Sequence, residues 1–241
     1  MSAPDPLHDG FGPVVVQPLS RIQQITGRRL HEAWSRIPHV THHEEADVTA
    51  IEAHRQANNA AHPASRLSLL AYVASAVVLV LKGYPRFCAS LDPEGKALWL
   101  KQYMHLGIAV DTPRGLVVAV ASHCDSKSLA QLGAAIDDLA ARARAGALKP
   151  PEMEGSCFAI SSLGAIGGVA FTPIVNPPNV AILGLSRARL RPEWIGGQIL
   201  PRLILPVSLS YDHRVIDGVE AARFCAALRD RLADPEGLRG A

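Results

Sequence analysis

The run Leu67–Leu81, LSLLAYVASAVVLVL, is apolar nearly all round a helical projection and is broken only by Ser68 and Ser75. A membrane span needs about 20 such residues, so this run is too short to cross a bilayer. A helix that is apolar on every side must instead be covered on every side by protein. The run therefore predicts a central, buried helix from about Ser65 to Lys82, closed by Gly83 at the position glycine favours after a helix end. A chain of 241 residues with 48% hydrophobic content can build the layers that such a helix needs.

Around that helix the sequence alternates between two periods. Ser20 and Gln23 spell a capping box, and Ile22, Ile25, Leu30, Ala33 and Trp34 follow at helical spacing until Pro38. His39 to Val48 reads as extended. The segments LGIAV and LVVAVA flank the turn DTPRG and predict a β-hairpin over Leu106–Ser122. Leu129, Leu132, Ile136 and Leu139 mark another helix. CFAISS, NVAILGLS and RLILPVSLSYD then read as strands, the last with Leu205, Val207 and Leu209 on one side, and a final helix begins near Asp217. With no internal repeat and no second linker, the pattern is that of a single α/β domain with a mixed sheet flanked by helices. Residues 1–12 read as a linker remnant or disordered N-terminus, and residues 13–241 as the domain.

Composition excludes several classes. A net charge of +2 gives no basic surface for nucleic acid or an anionic membrane. The N-terminus has neither a secretory h-region nor an Arg-rich transit pattern. Cys88, Cys124, Cys157 and Cys225 form no C-x-x-C pair, and so few cysteines in a domain this large read as reduced thiols in a cytoplasmic protein.

Three groups of residues can carry chemistry. In SYDHRVIDG, residues 210–218, His213 lies just past an apolar strand, with Asp217 four residues on. An imidazole with an unperturbed pKa of about 6.5 suits proton transfer near neutrality. Asp217 with Glu220 also spells a D-x-x-E helix cap, and Arg214 fits a surface charge or a structural ion pair. In ISSLGAIGG, residues 160–168, two serines end a strand before a glycine-rich turn; a hydroxyl there can donate to an oxyanion or simply satisfy the turn. The stretch lacks the lysine of a phosphate loop and the G-x-S-x-G elbow. His39, His42 and His43 form the third group; in a strand His39 and His43 share a face and His42 opposes them. No matching cysteine or carboxylate is evident, so no metal site is expected.

Four segments together carry a resemblance: LSRIQQITGRRLHEAWSRIPHVTHHEEADVTAIEAHR, HLGIAVDTPRGLVV, FAISSLGAIGGVAFTPIVNPPNVAILGLSRA and SLSYDHRVIDGVEAARF. They resemble, in order and from about residue 13 onward, the catalytic domain of the dihydrolipoyl acyltransferases of 2-oxo acid dehydrogenase complexes, most closely the acetyltransferases of pyruvate dehydrogenase complexes. The resemblance implies a fold similar to chloramphenicol acetyltransferase and trimers, or larger cores, with the active site between neighbours. It implies coenzyme A as a substrate, a lipoyl group supplied from another domain or chain, and lipoyl domains and dehydrogenase subunits as partners. It makes His213 the general base, Ser161 the hydroxyl that stabilises the tetrahedral intermediate across the subunit interface, and Asp217 the acidic position of the motif. Arg21 is the arginine it suggests as partner of the His213 loop.

The sequence departs from that family at several points. VVAVASHCD replaces a VVPVIRDAD-like run, Cys88 stands where a small polar residue is usual, and no lipoyl or subunit-binding domain precedes residue 13. Two other readings are open to the same residues: a non-catalytic scaffold core, and an acyltransferase with a non-lipoyl acceptor.

Overall fold

The computed structural model describes residues 11–238, so most of the N-terminal segment expected to be linker lies outside the described residues. In chain order the elements are α1 (Arg21–Arg36), β1 (His39–Asp47), α2 (Thr49–Ala61), α3 (Leu69–Leu81), β2 (Ala89–Leu91), β3 (Leu98–Leu100), β4 (Leu106–Val110), β5 (Val117–Ala121), α4 (Leu129–Ala145), β6 (Phe158–Ser162), β7 (Ala181–Leu185), β8 (Arg189–Ile195), β9 (Gln198–Asp212) and α5 (Gly218–Leu232). Six strands lie in the order β1-β9-β7-β6-β4-β5, and β8 pairs with the first half of β9. The sheet is mixed, as expected: β4, β6 and β7 run parallel, while β1, β5 and β9 are antiparallel to their neighbours.

The all-round apolar helix is α3. Ser68 caps it by accepting from the Ala71 N–H, so the helix starts three residues later than the expected Ser65. Residues Ala71 to Val78, with Val80 and Leu81, are buried. The helix lies in one layer with α4 and α5, against the sheet face formed by Phe158, Ile160, Leu183, Leu205, Val207, Leu209 and Tyr211. Leu205, Val207 and Leu209 do share that face. Helices α3 and α4 approach closely because position 133 is glycine: a Cβ there would stand 2.7 Å from Leu67 Cδ2. Helix α1 packs on the opposite sheet face, where Ala33 and Ile37 meet Ala159, Val175 and Ile182.

Two elements were not expected from the sequence. Helix α2 has no apolar stripe; only Ile51 and Asn59 are buried. It forms from alanine-rich sequence of high intrinsic helicity and is tied to the entry of α3 by Asn59, whose amide exchanges two hydrogen bonds with the Leu67 backbone (2.7 and 2.9 Å). Strand β8 is exposed almost throughout and is held by its pairing with β9. Gly196 and Gly197 join the two with φ of +58° and +84°, the conformation that a tight two-residue hairpin requires. Among the described residues no helix is long and apolar enough to cross a membrane.

Phe224 of α5 joins the layers. It is fully buried, stacks on Phe87 with ring centroids 4.3 Å apart, and lies 5.9 Å from Phe158 of β6. Phe224→Ala is expected to cost about 3–5 kcal/mol of unfolding free energy. Val219→Ala, at an exposed position of the same helix, should stay within about 0.5 kcal/mol. Urea titration of the two variants checks the contrast.

Candidate active site

His213 is carried by the turn that follows β9. The last rungs of the ladder fix where that turn starts: the Asp212 N–H donates to the Val180 carbonyl (2.9 Å), and the His213 N–H donates to the Pro38 carbonyl (3.1 Å). The Asp212 carbonyl then accepts from the N–H groups of Val215 and Ile216, and Val215 and Ile216 are buried. The turn is thus pinned on both sides of His213, while the imidazole itself is exposed and forms no hydrogen bond among the described residues. Its ring lies 5.9 Å from that of Tyr211.

The side chain that braces this turn is Asp212, which sequence reasoning passed over. Its carboxylate is 2% exposed and accepts from the Arg214 backbone N–H (3.0 Å) and from the Arg214 guanidinium (2.6–3.2 Å). Of the two readings of Arg214, the ion pair is the one that forms, and the carboxylate it grips raises the guanidinium pKa. An acid and an arginine flanking a histidine at i−1 and i+1 is the signal that could have revealed this brace.

Asp217 is the N-cap of α5 and accepts from the Glu220 N–H (2.8 Å), so the capping reading of D-x-x-E holds on that side. The Glu220 N–H, followed by that of Val219 and the charges of Arg86 and His213, holds its carboxyl below the ordinary range. A depressed folded-state pKa means that the cap contributes fully above the unfolded value near 3.9 and is lost as pH falls through the folded value. The arginine that the fold brings to this corner is Arg86, 3.8 Å from Glu220. Arg21 stands on the first turn of α1 and makes no ion pair or hydrogen bond with Asp217 within the chain, among the described residues. Its expected pairing with the His213 loop is therefore replaced by the Arg86–Glu220 contact.

Ser161 lies on β6 between Ala109 of β4 and Gly184 of β7. It is half-buried, and its hydroxyl forms no hydrogen bond among the described residues. Gly184 leaves room for the Phe171 ring, which a Cβ there would meet at 2.6 Å. Ser161 and His213 are not neighbours within the chain. The register runs Ser161 to Gly184 to Ser208, and His213 lies five residues beyond Ser208. At about 3.4 Å per residue and 4.8 Å per strand, the two backbones are roughly 20 Å apart, beyond the reach of their side chains.

The three histidines of β1 do not converge. His39 Nε2 accepts from the Val175 N–H (3.0 Å) and Nδ1 faces the Ile37 carbonyl (2.9 Å). A backbone donor on one nitrogen and a carbonyl on the other fix a neutral tautomer with the proton on Nδ1. His39 thereby ties both sides of Pro38, the acceptor of the His213 N–H. His43 pairs with the buried Ser208 hydroxyl (2.9 Å) on the same face, as the strand alternation requires. Among the described residues no group of three or more His, Cys, Asp or Glu side chains could hold a metal ion.

Comparison with known proteins converges on one family. The model for 2-oxoacid dehydrogenases acyltransferase (catalytic domain) matches residues 12–239. The dihydrolipoyllysine-residue acetyltransferase component of the pyruvate dehydrogenase complex of Cupriavidus necator is 50% identical over 93% of this chain, which spans 40% of that relative's length. A solved structure of the Azotobacter vinelandii dihydrolipoamide acetyltransferase, from work on a serine, a histidine and an asparagine in its catalytic mechanism, superposes with a TM-score of 0.94 at 47% identity over 99% of both chains. Those three residues are spaced along that protein as Ser161, His213 and Asp217 are spaced here. The cubic core of a pyruvate dehydrogenase multienzyme complex also gives a TM-score of 0.94, at 48% identity and 99% coverage of both chains. Chloramphenicol acetyltransferase shares the fold at a TM-score of 0.56 and 14% identity, covering 85% of this chain and 94% of its own.

Asp212→Asn keeps the shape of the brace but removes its charge. It should lower unfolding free energy by about 1–3 kcal/mol, the range for a hydrogen bond to a charged group. Thermal or urea unfolding of the variant beside wild type measures it.

Proposed function

The chain belongs to the 2-oxoacid dehydrogenase acyltransferases (catalytic domain), and on that premise we propose that it transfers an acyl group, acetyl before others, between dihydrolipoamide and coenzyme A. The observation that carries the reading is the divided site. An exposed imidazole on a braced turn and an unpartnered serine hydroxyl stand on one sheet, roughly 20 Å apart. Each half has what the other lacks, so the complete site forms between copies, with His213 of one facing Ser161 of the next. A trimer is the smallest closed ring in which every copy gives both halves, and the likeness to a cubic core supports a larger assembly built on it.

The chemistry follows from the two groups. A thiol of coenzyme A or dihydrolipoamide has a pKa near 8.5 and is mostly protonated at neutral pH. His213 takes that proton as the sulfur attacks the acyl thioester carbonyl. The carbonyl oxygen becomes an oxyanion and accepts a hydrogen bond from the Ser161 hydroxyl. Collapse re-forms the carbonyl and expels the other sulfur, which recovers the proton from the His213 imidazolium. No acyl-enzyme and no metal are needed. Asp212, Arg214 and Asp217 position the turn without touching the substrate. Coenzyme A is a substrate, and the lipoyl group arrives on a lipoyl domain of the same or another chain, alongside dehydrogenase subunits, in the cytoplasm.

The first measurement is acetyl transfer from acetyl-coenzyme A to free dihydrolipoamide. Wild type should be active and His213→Ala should lose nearly all of that activity. Ser161→Ala should fall by about 100- to 1,000-fold in kcat, as expected for one oxyanion donor, with little change in KM. No transfer by folded, oligomeric wild type would favour a scaffold or another acceptor.

The shared site makes a second prediction. His213→Ala and Ser161→Ala proteins, mixed and reassembled, should regain activity, because some interfaces then pair an intact histidine with an intact serine. Mixed assemblies shown to form by mass, yet no more active than either variant, would overturn the shared site. Light scattering should give at least a trimeric mass.

A further inference from the structure

Four cysteines are buried, and two of them touch. Cys88 ends the short turn after α3, and Cys157 immediately precedes β6. Their sulfurs are 3.6 Å apart, with the Cys88 thiol donating to Cys157, and the Cys157 sulfur is 3.2 Å from the His105 carbonyl. A third sulfur, Met104 Sδ, lies 3.7 Å from Cys88. The backbone holds the pair in place from both sides: the Cys88 carbonyl accepts from the Lys101 N–H, and the Cys157 N–H donates to the His105 carbonyl. Lys101 extends over the pair, its ammonium 3.1 Å from the Ser156 carbonyl and 3.5 Å from Asn179 Oδ1. Cys88, Lys101, Gln102, Met104 and Asp125 line a cavity of about 230 Å³, large enough for a small oxidant. The acyl-transfer mechanism uses none of these groups.

We propose that Cys88 and Cys157 form a dithiol that small hydroperoxides oxidise to an intramolecular disulfide. A disulfide needs sulfurs about 2.05 Å apart, so each sulfur must move by somewhat less than about 1 Å. The partner thiol and the Lys101 cation both favour ionisation of Cys157, holding its pKa below the ordinary thiol value, while Cys88, the donor, is pushed up. Cys157 is therefore the attacking group. Its thiolate takes one peroxide oxygen: the S–O bond forms, the O–O bond breaks, and the departing hydroxide takes the Cys88 proton to leave as water. The Cys88 thiolate then attacks the sulfenic acid at Cys157. The S–S bond forms, the S–O bond breaks, and the second hydroxide leaves as water with the proton that Cys157 first released. Two thiols lose two electrons, and one peroxide becomes two waters.

Cys124 and Cys225 are internal controls. Both are buried, and burial pushes their thiols up to about 11 and about 12. They should react at least ten times more slowly than the pair, because the thiolate is the reactive form.

The test treats the intact protein with hydrogen peroxide, blocks remaining thiols under denaturing conditions, and maps the peptides by mass. The expected product is a Cys88–Cys157 linked peptide two hydrogens lighter than its parts, reversed by dithiothreitol, with Cys124 and Cys225 still alkylated. Cys88→Ser should leave Cys157 as a sulfenic acid that dimedone traps. Four unreacted thiols at a peroxide dose that oxidises glutathione would overturn the proposal. So would oxidation that stops at Met104 sulfoxide, or equal oxidation of all four cysteines.

Discussion

Strand β9 fixes the geometry of the candidate site. Its second half is hydrogen-bonded along both edges, to β1 on one side and β7 on the other, and both ladders run to within a residue or two of His213. A one-residue slip would turn Leu205, Val207 and Leu209 out of the core, so the buried face holds the register firmly. That register sets the position of the turn along the sheet. Through β7 it also sets the distance from His213 to Ser161. The separation of base and donor within the chain is therefore a property of the ladder, and no loop adjustment can remove it.

The turn beyond β9 has little apolar content of its own, and two polar devices keep it in place. A carboxylate as buried as that of Asp212 is costly unless charge and hydrogen bonds compensate it. Arg214 supplies both from two residues away, closing the turn on the side next to His213. His39 performs a complementary task with no charge. Its two backbone hydrogen bonds hold the corner on either side of Pro38, whose carbonyl receives the His213 N–H. An imidazolium at position 39 would lack the lone pair that Val175 requires, so this corner holds only the neutral ring.

Much of this was legible in the sequence, for identifiable reasons. The apolar period of α3, the capping box at Ser20 and the alternation in β9 each report burial directly, and the corresponding elements formed where expected. Helix α2 and strand β8 escaped because they bury little: one rests on alanine propensity and an asparagine latch, the other on pairing with β9. The Gly196–Gly197 pair was the available sign of that hairpin. At the site, the motif singled out His213, Asp217 and Ser161 but gave no indication of Asp212 as brace, since flanking charges also fit an exposed surface. The choice of Arg21 failed within the chain for a related reason. Which arginine reaches α5 depends on the packing of the turn after α3, a long-range contact invisible in local spacing.

The position four residues after the histidine bears on what the motif acid does. Here it is Asp217, whereas the Azotobacter vinelandii enzyme has an asparagine at the same interval. The two side chains differ in charge but share an oxygen acceptor, and they serve almost equally as helix N-caps. The only hydrogen bond printed on the Asp217 side chain is the one a cap makes, to the Glu220 N–H. The shared property is therefore the one the fold uses: an acceptor that starts α5 immediately after the turn and so fixes the downstream end of the segment carrying His213. A negative charge at this point also lies in the field of His213, where it favours the imidazolium formed during proton transfer. Capping is thus the role common to both proteins, and electrostatic support of the protonated base is an addition specific to chains with aspartate.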